Sequence, residues 1–185
     1  NYNRAGTQTV EPVSYYHLTL SGSGAKTMTS VTAIDGDLVL SGSATASTPA
    51  ALAVVGNVTL SGTTTLTLGN TLTVNGALDV GSGTTFTVPG FNISVAGATS
   101  VSGTLTHSST TGTKTYTGGV TINSGGLWNE TVAAAISFGG GLTNNGTFTA
   151  STGVHTFTGT SKTMDGANAI LIASVTVTGT YANSG

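Results

Sequence analysis

The sequence predicts an all-β chain wound as a parallel β-solenoid with coils of about 20 residues, right-handed because parallel crossovers almost always are. Three observations predict it. A pattern of apolar, any, Gly, any, apolar, any, apolar recurs along the chain. A second glycine column accompanies it at a fixed offset. Between the columns Thr alternates with Val, Leu or Phe at period two, as in a strand with one buried face.

The first copy is Ile34-Asp35-Gly36-Asp37-Leu38-Val39-Leu40. It recurs as Val54–Leu60 around Gly56, Val74–Val80 around Gly76 and, more weakly, Val95–Val101 around Gly97. Tyr116–Ile122 and Phe138–Asn144 follow, and a last copy, Leu171–Val177, has Ala173 for the glycine. The starts are separated by 20, 20, 21, 21, 22 and 33 residues, so the last gap is expected to hold an extra partial turn around Phe148 and Phe157. A unit this short cannot bury its own apolar face, but stacked units bury it together. Leu38, Val58 and Leu78 then form one interior ladder, and Leu40, Leu60 and Val80 its neighbour, with successive coils about 4.8 Å apart. Gly36, Gly56 and Gly76 mark one corner. Gly22, Gly42 and Gly62, continued by Gly103 and Gly125, mark another, where glycine can take positive φ without penalty. Leu66-Thr67-Leu68 and Phe86-Thr87-Val88 supply a further strand per coil. Only Thr131–Ile136 admits a helical period. About nine coils would give a rod on the order of 40 Å long. The competing fold is an antiparallel β-sandwich, which has no need to hold Gly and Leu in register at a constant period.

Residues 1–13, with Arg4, Glu11 and Pro12, read as an extended N-terminal segment able to lie across a neighbour as an added strand. Residues 14–185 read as one repetitive domain. Neither terminus resembles a capping repeat, and the chain reads as a processed protein or a piece of a longer one.

Composition excludes several classes. Thr (39), Gly (28), Ser (20), Ala (19) and Asn (12) make up 118 of 185 residues, which leaves too little Leu, Glu, Lys and Arg for a helical bundle. Four Lys plus Arg and a net charge of −2 provide no basic surface for nucleic acid. The lack of cysteine removes disulfides. No apolar run approaches the roughly 18 residues of a membrane helix.

The run Tyr15-Tyr16-His17-Leu18-Thr19-Leu20-Ser21-Gly22-Ser23-Gly24-Ala25-Lys26-Thr27-Met28 resembles the Thr/Gly-rich β-strand repeats of large bacterial surface proteins, of the filamentous-haemagglutinin and autotransporter-passenger type. The likeness extends over roughly residues 14 to 181. It implies secretion and a structural or adhesive role. No catalytic motif of that family maps onto this chain.

The candidates for chemistry are sparse. Asp35 and Asp37 flank Gly36 on one side of a strand, and Asp79 is expected near the Asp37 column two coils on, a weak candidate cation site. The simpler reading is solvated turn acids. His17, His107 and His155 each precede a lysine, Lys26, Lys114 and Lys162, in similar contexts, which duplication of a two-coil unit explains without chemistry. Trp128 is expected to plug a corner or an end. Thr63/Thr65, Thr85/Thr87, Thr104/Thr106, Thr147/Thr149 and Thr156/Thr158 are Thr-x-Thr pairs. Their spacings of 22, 19, 43 and 9 residues are too irregular for a lattice of hydroxyls such as ice-binding β-helices present. The four Asn-x-Ser/Thr sequons are what chance would give.

The expected function is therefore non-enzymatic, with no cofactor: an extracellular or cell-surface structural protein forming a filament, sheath or adhesin stalk by end-to-end or strand-addition assembly with itself. The alternative is a binding module for surface glycans or ice. A polysaccharide lyase or hydrolase is a third reading, disfavoured by the scarcity of charge. No nucleic-acid partner and no membrane span are expected.

Overall fold

A computed structural model describes residues 1–184. The chain is a β-solenoid of about nine turns. Three sheets run its length, and every strand pairing between successive coils is parallel, which excludes the sandwich. Face A has nine strands, from Leu18–Leu20 to Tyr181–Asn183. Face B has eight, from Gln8–Thr9 to Thr147–Thr149, and face C eight, from Ala33–Ile34 to Ser174–Val177. No helix occurs among the described residues, Thr131–Ile136 included.

Alternation explains the strands. On face A, Leu38, Val58 and Leu78 stack in register, as do Leu40, Leu60 and Val80, and all six are fully buried. Face C contributes Ile34, Val54, Val74 and Val95, also stacked. Face B contributes Leu66, Phe86 and Leu105. The interior is therefore a thin core repeated at each coil. Its stabilisation is the hydrophobic burial of about two aliphatic side chains per face per coil, each worth roughly 1.5–3 kcal/mol before conformational entropy is subtracted.

The two glycine columns exist for different reasons. Gly22, Gly42 and Gly62 have φ of 74°, 71° and 74°, and Gly83 (78°) rather than Gly103 continues this left-handed corner. Gly36, Gly56 and Gly76 do not have positive φ. They are glycine because the preceding coil lies against them. A Cβ on Gly56 would meet the Gly36 carbonyl carbon and oxygen at 2.6 Å. At this corner Gly56 N–H donates to the Gly36 carbonyl, and Gly76 N–H to that of Gly56.

The structure corrects the phase of the last repeat. Phe138 pairs with Phe157, and Phe157 with Val177, all on face C. The glycines that follow are Gly140, Gly159 and Gly179, so Val177 opens a copy of the pattern rather than closing one. The long gap contains a whole coil whose face A strand, Lys162–Asp165, is displaced by extra corner residues around Ser161, which has φ of 55°. Lysine, Thr and Asp in that strand hid it from an apolar template.

The ends differ. The N-terminal segment closes its end: Tyr2 bridges to Leu20, Gln8–Thr9 pairs with Lys26–Thr27, and Val10 is buried. The Tyr2 and Tyr15 hydroxyls are 2.9 Å apart, Tyr15 donates to the Glu11 carbonyl, and Glu11 N–H donates to Tyr2. The Lys26 side chain is 1% exposed, and its ammonium donates to the carbonyls of Arg4, Gly6 and Ser23 and to Gln8 Oε1. This is a cap that sequence patterning did not reveal. At the other end Leu171 is 78% exposed.

Candidate functional sites

Two arrangements stand out, one on the surface and one inside. The first is the outer side of face B. Thr45, Thr65, Thr85 and Thr104 stack in one column, and Ser47, Thr67, Thr87 and Thr106 in the next. The columns pass through Leu127 and Asn129 and resume at Thr147 and Thr149. Residue intervals along the first column are 20, 20, 19, 23 and 20, yet the pairing is unbroken. Extra residues leave the lattice at the corners. The sequence pairs were therefore misread in two places. In the third coil Thr65/Thr67, not Thr63/Thr65, faces out, and Thr156 belongs to face C, paired with Ser137. No hydroxyl in these columns makes a hydrogen bond within the protein among the described residues, so each is offered to solvent. The period is about 4.8 Å along the stack and roughly 6.7 Å along the strand. Lys26, which lies on this strand set, points inward, so no charge interrupts the array.

The second arrangement is a polar cluster in the core. Alternation in Leu127–Glu130 turns Trp128 and Glu130 inward together. Trp128 is fully buried in mid-strand and plugs neither a corner nor an end. Its indole N–H donates to Glu130 Oε1 at 2.9 Å. The other Glu130 oxygen accepts from the Ser151 backbone N–H (2.9 Å) and hydroxyl (3.0 Å). His155 Nε2 lies 2.8 Å from Glu130 Oε1, both side chains being fully buried. His107 Nε2 lies 2.8 Å from the Tyr116 hydroxyl, while its Nδ1 is buried without a partner. Phe138, Phe148 and Phe157 complete the surroundings. Burial pushes the Glu130 carboxyl up, but hydrogen bonds from His155, Ser151 and Trp128 outweigh it and hold the group below its usual range. Burial, against the pull of Glu130 and with smaller contributions from Lys114 and His155, drives His107 down to about 3. Burial raises Tyr116 as well, keeping its hydroxyl protonated. Sequence reading did not single out Glu130. The signal was present in the alternation with Trp128.

Within this cluster the serine hydroxyl is not paired with a histidine base. Ser151 donates to the carboxylate rather than to histidine, and the group is enclosed. Asp35, Asp37 and Asp79 do not converge, and no group of three His, Asp or Glu side chains gathers among the described residues. Asp79 stacks on Thr59 and Val39, one column away from Asp37. Asp37 instead caps a corner. Its own N–H donates to His17 Nδ1, its Oδ1 accepts from Asn57 N–H, and Asn57 Oδ1 accepts from Ala77 N–H, each at 2.8 Å. The three His–Lys pairs are not equivalent. Lys26 lies on face B, Lys114 on face C and Lys162 on face A, so two-coil duplication does not account for them. Lys114 replaces Leu52, Leu72 and Ile93 in an interior ladder, and its ammonium donates to the carbonyls of Thr111 and Gly112. Among the described residues no helix is long and apolar enough to cross a membrane. No protein-family model, curated protein or solved structure shows significant similarity to the chain.

Proposed function

We propose that the chain is a structural segment of an extracellular or cell-surface fibre, a stalk or sheath element built by stacking coil on coil. The observation that carries this reading is the continuous parallel pairing of three sheets, coil on coil, along the rod. Among the described residues Thr147–Thr149 and Ser174–Val177 are the last strands of faces B and C, and Leu171, Val175 and Val177 expose apolar surface beside them. Such an end is a template for a further parallel coil. Low charge and the resemblance to Thr/Gly-rich surface repeats agree with a secreted structural role. The occupant proposed is a second copy, joined through its outermost N-terminal strand Gln8–Thr9, which pairs on one side only. Sedimentation at micromolar concentration and negative-stain imaging test it. Rods several times the length of one chain are expected, and Leu171→Asp with Val177→Asp should return them to single units. A wild-type chain that stays a monodisperse monomer refutes the assembly.

A second reading rests on the face B columns: a binding surface for ordered water, hence ice. Registered Thr hydroxyls and methyls with no internal partners and no nearby charge form a two-dimensional array close in its periods to the oxygen lattice of an ice prism face. Thermal hysteresis and inhibition of ice recrystallisation are the measurements. Activity in the wild type that is lost in Thr67→Tyr with folding intact supports it, and an inactive wild type sinks it. Retention on a glycan array instead would assign the face to carbohydrate.

A further inference from the structure

The interior ladders change character in the second half of the rod. Val88 stacks on His107, and His107 on Glu130. Ile136 stacks on His155, and His155 on Val175. Aliphatic positions have thus become histidine and carboxylate within a core of rings. His107 lies 4.7 Å from Trp128, and His155 6.3 Å from Phe138, centroid to centroid.

The hydrogen bonds fix where protons sit. The Gly153 carbonyl can only accept, so the His155 Nδ1 that lies 2.9 Å from it carries a hydrogen. One further proton is then shared between His155 Nε2 and Glu130 Oε1. Glu130 accepts three other hydrogen bonds, from Trp128 and twice from Ser151, so a second proton on it must displace a donor. At His107, protonation would place a cation with an unpartnered Nδ1 in a fully buried site. The groups facing it are Tyr116 and Lys114 from Lys114–Tyr116, Glu130 from Leu127–Glu130 and His155 from Val154–Phe157. Lys114 and His155 oppose the extra charge, and Glu130 alone favours it.

We propose that the coils from His107 to Phe157 form an acid-responsive segment of the rod, in which proton uptake at His107 and Glu130 opens these coils while the aliphatic coils before them stay wound. Coils contact only their neighbours, so part of a solenoid can open without the rest. Both groups bind a proton more readily in the open state than in the closed one. Opening therefore gains as pH falls below the ordinary value of 6.5 for His107, which is held near 3 when closed, and gains further below 4.5 through Glu130.

The test uses the full chain between pH 7 and pH 3. Trp128 is the sole tryptophan, so its emission reports on this segment, while far-UV circular dichroism reports on every coil. Hydrogen exchange gives the opening constant of each coil. For amides between His107 and Phe157 that constant is expected to rise about tenfold per pH unit from 6.5 to 4.5, then more steeply below as Glu130 takes up a proton too. The Trp128 emission should shift to the red before the strand signal falls, and amides of Leu38–Leu40 and Val58–Leu60 should stay protected. His107→Phe keeps an aromatic ring in place and should abolish the upper limb. Should that variant not fold, Glu130→Gln should flatten the lower one. The proposal is overturned if all coils open together, if the opening constants of this segment do not change with pH, or if the variant that folds keeps the wild-type profile.

Discussion

Three alanine substitutions separate the two reasons for glycine at the corners. Gly125 has φ of 82° and open space around an added Cβ, so Gly125→Ala measures left-handed backbone strain alone. That strain is about 1–2 kcal/mol, offset by about 0.4–1 kcal/mol of lost unfolded-state entropy, a net cost of about 0–1.6 kcal/mol. Gly56 has no such backbone demand, but its added Cβ would sit 2.6 Å from the Gly36 carbonyl. Carbon contacts relax only near 3.5–4.0 Å, so the two coils must part by about 1 Å at this corner. Paired strands on both sides resist that movement. The Gly56 N–H bond to Gly36 lengthens, at about 0.5–1.5 kcal/mol, on top of about 1–3 kcal/mol of overpacking. About 3 kcal/mol is expected for Gly56→Ala. Gly42→Ala combines both terms, with φ of 71° and the Gly22 carbonyl oxygen 2.5 Å from the added Cβ, and should cost most. The assay is thermal unfolding followed by circular dichroism, compared as midpoints because a repeat array need not unfold in one step. A chain of this size loses about 2–4 °C per kcal/mol, so Gly125→Ala should lower Tm by no more than about 6 °C and Gly56→Ala by about 6–12 °C. If Gly56→Ala is as mild as Gly125→Ala, coil contact does not explain that glycine column.

Three further outcomes follow from the same packing. Leu60→Asp places an unpaired carboxylate in a fully buried ladder and should cost several kcal/mol, leaving the rod unfolded by circular dichroism at pH 7. Glu130→Ala strips His155, Trp128 and Ser151 of their acceptor and should destabilise by about 3–5 kcal/mol, read as a lower urea midpoint of Trp128 emission; the exposed Asp35→Ala should change it little. Lys26→Met removes four hydrogen bonds, three of them to residues 4–8, and should release the N-terminal segment to trypsin at Arg4 while the remaining coils keep their protection.

The coil and its interior were legible from local patterning. A buried side of period two, an apolar pair before and after each corner and a glycine where coils touch are local requirements repeated at every turn, so Leu38, Val58 and Leu78 announce their ladder without reference to the rest of the chain. Which residues share a face is set by the winding of the chain, because backbone pairing pins the strands while corners absorb extra residues at little cost. The interval from Thr104 to Leu127 is 23 residues and that from Thr85 to Thr104 is 19, yet both are adjacent rungs. Counting residues therefore misplaced the threonine pairs, equated three lysines that lie on three faces, and shifted the last repeat out of phase. The buried cluster was hidden for a related reason. Ser151 and His155 reach Glu130 from 21 and 25 residues away, and only the winding of the coils makes them neighbours.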